Sequence, residues 1–241
     1  MVSINNAINN TVGATNSGQT NTFTITNPSN TASSAARETI AVGGSSAADP
    51  TINFNVSGVT NWEMGIDNSD SDSFIIAGST ALGTDNYLRL STAGVHTLPK
   101  QPLFIAHKNT TNLNSTGDGT AFTAVYNSVY VDQASNYNIA TGEFTAPVTG
   151  NYFISLSLFV SGLAVANTTG DIDFYVNGVN SNRILRGSFG SFRAADNSIS
   201  FTQGVPYPLT AGDVVKIVLQ VSGGAKVVAC GGGLFSIFLI C

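Results

Sequence analysis

From Thr22 onward apolar and polar residues alternate with a period of two. Thr22-Phe23-Thr24-Ile25-Thr26 is the first such run, and Thr39–Val42 is a shorter one before the turn-forming Gly43-Gly44-Ser45-Ser46. In Thr51–Val56, Ile52, Phe54 and Val56 fall on one face, and Thr51, Asn53 and Asn55 on the other. Asn61–Ile66 repeats the pattern, which predicts a strand with Trp62, Met64 and Ile66 pointing inward. The polar run Asp67–Asp72 predicts a hairpin turn, Phe74–Ile76 the returning strand, and Asn86–Leu90 a further strand with Leu88 and Leu90 on one face. Short strands that each bury few large residues are marginal alone, so the pattern predicts three chains pooling them.

Upstream, residues 1–20 are polar, with sparse apolar marks at Ile4, Ile8 and Val12. They read as a loosely held tail or as a segment that docks on a partner. Downstream, Leu98-Pro99-Lys100-Gln101-Pro102 carries two prolines that break any ladder and marks a module boundary. Beyond it the expected strands are Leu103–His107, a pair within Ala121–Val131, Glu143–Ala146, Asn151–Val160, Asp171–Val176, Asn182–Gly187, Ser198–Thr202, Lys216–Val221 and the apolar end at 234–240. Asn177-Gly178 is a strong hairpin turn.

The densest pattern runs from Tyr126 to Leu156. Tyr126, Asp132, Tyr137, Phe144 and Gly150 follow one another at fixed intervals, and Tyr152, Ile154 and Leu156 then alternate. Leu209-x-x-Gly212-Asp213-x-Val215 and the closing Phe235-Ser236-Ile237-Phe238-Leu239 come later, in order. Over about residues 102–241 this resembles the complement-type globular head (gC1q), a jelly-roll trimer related to tumour necrosis factor. The chain has Tyr126 where that family usually has Phe, and Ile154 and Leu156 where it has aromatics, so the positions stay apolar. The resemblance implies an all-β fold with a ten-stranded jelly-roll head, homotrimeric. It also implies that Tyr126, Tyr137, Phe144, Tyr152, Phe235 and Phe238 lie in the core or at the threefold interface.

That family's collagen stalk is missing, since no Gly-X-Y period exists here. Its place is taken by a run in which Trp62, Gly65, Ile66, Asp67, Phe74, Leu82, Gly83, Leu88, Leu90 and Gly94 match the shaft segments of bacteriophage tail fibres and tailspikes. The resemblances together imply a tail or docking segment at 1–20, a shaft-like module at 21–98 and a head at 102–241. They imply a bacteriophage virion protein, a short trimeric tail fibre or spike. Residues 1–95 would dock to other virion proteins, and the head would meet a glycan or protein of the host surface. A capsid decoration protein and a soluble gC1q-like carbohydrate-binding lectin are the alternatives.

Composition fits a β-rich chain. Charged residues make up 10% and hydrophobic residues 42%, against roughly 25% charged in an average globular domain. The net charge is −5. Residues 1–100 carry seven acids and three bases, and residues 101–241 seven and six. Neither part offers the basic stripe that phosphate binding needs, so nucleic acid is not an expected partner. No apolar run is long enough to span a bilayer, so membrane insertion is not expected. The first residues lack the basic and apolar regions of a signal peptide.

Candidate chemistry is sparse. Asp67, Asp70 and Asp72 are spaced as in calcium loops, but a solvated hairpin turn reads first and calcium second. Asp171 and Asp173 share a strand face as paired carboxylates do; they read as an exposed strand end. His96 and His107 have no partner at metal spacing, and no nucleophile elbow is present. A polysaccharide-degrading spike would need a carboxylate pair in a groove and parallel-β repeats, so no enzyme is expected. Gly231-Gly232-Gly233 reads as a turn. Arg183, Arg186 and Arg193 read as solvated loop charges, with an anionic glycan as their other use. Cys230 and Cys241, separated by an extended strand, are not expected to form a disulfide.

Overall fold

A computed structural model describes residues 22–240 of the protein. The expectations for residues 1–20 and for Cys241 lie outside the described residues. The strands expected at 22–26 and 39–42 do not form; Phe23 is 72% exposed. Alternation alone does not make a strand, because the backbone groups need a ladder partner, and none pairs with these segments here.

The first sheet is a five-stranded antiparallel meander in chain order: β1 (Thr51–Val56), β2 (Thr60–Asp67), β3 (Ser73–Ala77), β4 (Asn86–Leu90) and β5 (His96–Thr97). The β2–β3 turn is the acidic run, with Ser71 and Asp72 at φ of 54° and 57°. The register puts Phe54 opposite Trp62, Met64 opposite both Ile52 and Ile76, Ile66 opposite Phe74, and Phe74 opposite Leu90. Directly opposed residues share a face, so these side chains form one apolar face.

Trp62, Met64 and Ile66 do not point inward. The covered face is the other one, where Glu63, Gly65, Asp67, Ser73, Ile75 and Ala77 are buried. Period-two alternation cannot say which face is covered; the neighbouring segments decide. The Pro50 carbonyl crosses so close to Gly65 that a Cβ there would lie 2.2 Å from its oxygen. Leu82, from the β3–β4 connection, packs with Ile75 and Ala77 into a small cluster.

The head is a two-sheet antiparallel sandwich. Its strands are β6 (Leu103–Lys108), β7 (Asn112–Thr116), β8 (Ala121–Thr123), β9 (Ser128–Asp132), β10 (Tyr137–Asn138), β11 (Glu143–Thr145), β12 (Gly150–Ser161), β13 (Thr169–Val176), β14 (Val179–Gly187), β15 (Ile199–Leu209), β16 (Val214–Ser222), β17 (Val228–Cys230) and β18 (Gly233–Leu239). The smaller sheet runs β10-β11-β16-β13-β14, with β8 also on β16. The larger runs β7-β17-β12-β18-β6-β9, with β15 also on β12. The described residues thus hold thirteen head strands rather than ten. The extra ones are short pieces, β7, β10 and β17, set off by turns such as the one at Ala134 and Ser135, where φ is 68° and 55°. A single turn of helix, α1 (Phe189–Phe192), also went unexpected; its Phe189 ring lies on Gly170, where a Cβ would be 2.3 Å away. Among the described residues no helix is long and apolar enough to cross a membrane.

The core lies between the sheets. β12 contributes Tyr152, Ile154, Leu156, Leu158 and Val160 to it, and β16 contributes Val215, Ile217, Leu219 and Val221. The backbone is tightest at Gly233, where a Cβ would sit 2.0 Å from the Ser157 carbonyl oxygen. The last strand therefore joins β12 without a spacer.

Candidate functional site

Five of the six aromatics picked out from the sequence belong to the sandwich interior. Tyr126, Phe144, Tyr152 and Phe235 are fully buried, and Tyr137 packs against them half-buried. Phe104 stacks on Tyr137 with ring centroids 4.2 Å apart and meets Phe235 edge-on at 5.3 Å. The hydroxyls are satisfied by backbone: that of Tyr126 donates to the Ser157 carbonyl at 3.1 Å, and that of Tyr152 to the Val148 carbonyl at 2.8 Å. Burial pushes the Tyr137 hydroxyl up to about 12 and that of Tyr126 well above its usual value. Asp132 holds the turn below them, accepting the amides of Asn136 and Tyr137 at 2.9 and 3.1 Å. Asp213, from the Leu-x-x-Gly-Asp-x-Val run, accepts Thr210 N–H at 2.8 Å and Asn177 Nδ2 at 2.8 Å. The Thr210 amide, then Asn177, hold its carboxyl below the usual range. These residues build the fold.

Phe238 is different. It alternates outward from Phe235 and Ile237, is 38% exposed, and packs on Phe153 at 5.5 Å. It belongs to the outer face of the larger sheet. Ser155 lies opposite Ser236 and Gly204 there, and Phe153 opposite Phe238 and Pro206. Ile105, Ser155, Ser157, Thr202, Leu234 and Ser236 surround a shallow depression of about 410 Å³. No acid, lysine or arginine projects from this face on β6, β12, β15 or β18. The outward Phe153 and Phe159 escaped the sequence reading, although Ser155 and Ser157 between inward Ile and Leu were the signal.

The smaller sheet has the opposite character. Lys216 pairs with Glu143 at 3.5 Å on its outer face. Asp171 and Asp173 lie on β13, buried rather than an exposed strand end, and Arg183 and Arg186 come from β14, a strand rather than a loop. Arg186 Nε approaches Asp171 Oδ1 at 3.2 Å; Arg183 Nε approaches the same oxygen at 3.3 Å and Asp173 Oδ1 at 3.7 Å. Neither Oδ1 has a hydrogen bond of good geometry. Burial, then the neighbouring Asp171, raises the pKa of Asp173. Two carboxylates facing two guanidiniums neutralise one another, which leaves little free positive charge for an anionic glycan. Arg193 instead bonds the Gly190 carbonyl and Asn197.

The acidic turn does not gather its carboxylates. Asp67 Oδ1 accepts Ser69 N–H, Ser69 Oγ–H and Asp70 N–H at 2.7–3.0 Å. Asp70 is taken by Arg89, with Nη2 at 2.9 Å, and that bond holds its carboxyl below the usual range. Asp72 is exposed. No group of three or more His, Cys, Asp or Glu among the described residues is placed to hold a metal. His96 sits in β5 and His107 stacks with Tyr130. Lys108 is buried, with its Nζ on Asn112 Oδ1, and burial lowers its pKa. The buried Cys230 thiol is raised to about 11 by desolvation.

No curated protein sequence matches this one. Among solved structures, the globular domain of zebrafish complement 1qA protein is 18% identical, covers 58% of this chain and 98% of its own, and has a TM-score of 0.40. Murine APRIL is 10% identical, with coverage of 57% and 99% and a TM-score of 0.36. The family model for the C1q domain matches residues 104–239, from the second residue of β6 to the end of β18. That span holds both sheets and the aromatic interior, and the chain belongs to the C1q domain family.

Proposed function

We propose that the protein is a homotrimeric attachment head. The observation that carries this reading is the contrast between the two outer sheet faces. One is free of formal charge and set with Phe153, Phe159, Leu234 and Phe238; the other carries the Glu143–Lys216 pair and the Asp171–Arg186 strip. An uncharged, partly aromatic face is what a permanent interface requires, and closed symmetry hides it from further association. The charged face and the loops are then left for contact with other molecules. Nothing in the reading calls for a catalytic step or a cofactor.

The setting we favour is a bacteriophage virion, as a short tail fibre or spike bound to the particle through residues 1–95. Its support is the β-meander and shaft-like run in the place of a collagen stalk. Immunogold labelling of virus particles from the source with antibody to residues 102–241 tests it. Label at the tail tip, together with blocked adsorption, supports the fibre. Label over the shell turns the reading to capsid decoration, and no label on any particle, with glycan binding by free protein, to a soluble lectin.

A further inference from the structure

The apolar face of the first sheet has no cover within the described chain. Phe54 is 54% exposed, Val56 57%, Leu90 38% and Trp62 37%. The charged groups of this sheet are elsewhere: Glu63, Asp67 and Arg89 lie on the opposite face by register, and the Lys100–Asp85 pair, at 2.6 Å, stands at the rim beside Tyr87. Among the described residues the buried hydrophobic cluster of this sheet is Ile75, Ala77 and Leu82. A five-stranded sheet with so little buried on one face and its larger residues half in water on the other is incomplete as a folding unit.

We infer that this face is closed by the same face of other copies of the chain, three sheets meeting around the axis that relates the heads. The inference rests on the trimeric head proposed above. The occupant follows from continuity. His96, paired opposite Leu90, ends the apolar face of the sheet. A groove of about 340 Å³ joins it, through Leu98 and Pro102, to Leu103 and Phe238 on the uncharged face of the head. The two apolar faces thus adjoin across this groove, and the inferred arrangement sets one axis along both. On this face the charge nearest Trp62 is Lys100, which lies over the Tyr87 ring that packs on Trp62 at 4.8 Å and is already paired with Asp85, so an identical apolar face meets this one on equal terms. The consequence is an extended interchain core, in which Trp62 and Phe54 of each copy face inward to the axis.

Trp62 is the only tryptophan of the chain, so its fluorescence reports on this face alone. The test is the emission maximum and acrylamide quenching of the intact, full-length protein, with its mass measured at the same concentration. The inference predicts a trimer whose Trp62 emits to the blue and resists quenching, turning red-shifted and several-fold more quenchable only where dilution below micromolar concentration dissociates it. A trimer with a solvent-like, freely quenched Trp62 overturns the inference and leaves the head assembly standing. A monomer with exposed Trp62 overturns both. A monomer with protected Trp62 also overturns it, and identifies a segment of the same chain as the cover.

Discussion

The hydroxyl of Tyr137 accepts the backbone N–H of Tyr126 at 2.9 Å. Tyr126 has left β8 and has not entered β9, so its amide has no ladder partner, and a side chain from β10 supplies one. Tyr137→Phe keeps the ring on Phe104 but leaves that amide without its acceptor. We expect a loss of about 1–3 kcal/mol, measured by urea unfolding, with the assembly unchanged. An unaltered midpoint would show that the hydroxyl is dispensable.

Phe144 is fully buried and contacts Phe104 and Tyr152 at centroid distances of 6.0 and 6.3 Å. Phe144→Ala should cost roughly 3–5 kcal/mol and reduce the yield of soluble protein. A variant that melts at the parental temperature would contradict its place in the core.

Asp173 sets a pH dependence. Its folded pKa is raised above the usual 3.8, first by burial and then by Asp171. The folded state therefore holds that proton more tightly than the unfolded chain. The stability this contributes is fully present below about the usual carboxylate value and is lost as pH rises through the raised one. Asp173→Asn removes the titration, while its carbonyl can still accept from Asn180, which now donates to Oδ2 at 2.7 Å. Denaturation midpoints across this window should fall less steeply with pH in the variant. Parallel curves would remove Asp173 as the cause.

Ser155 lies on the outer face of the larger sheet, with Ser236 and Gly204 as its cross-strand neighbours. Ser155→Glu adds a charge to that face without entering the core. The expected product is a folded chain with native circular dichroism and one third of the parental mass. Retention of the parental assembly would place the interface elsewhere.

Much of the head was readable because its markers are interior: an aromatic such as Phe144 or Tyr152 fits one side of a strand and tolerates little else. The strand alternation of β1, β2 and β4 was equally plain. What alternation could not supply was the identity of the covered face, since that depends on Pro50 crossing Gly65 and on Leu82 folding back. The Asp171–Arg186 strip was hidden for another reason. Its partners are far enough apart in sequence that pairing depends on the β13–β14 register, which shifts twice between Ile172 and Tyr175. Phe23 and Ile25 show the converse, a clean pattern with no strand to pair with.

The central claim is that the uncharged face of the larger sheet is an interface between copies. Sedimentation equilibrium of the full-length protein tests it most directly. The expected result is a single species of three times the 24.9 kDa chain mass, stable to micromolar dilution and to high salt, because no ion pair holds the face together. A species of one chain mass under those conditions would contradict it.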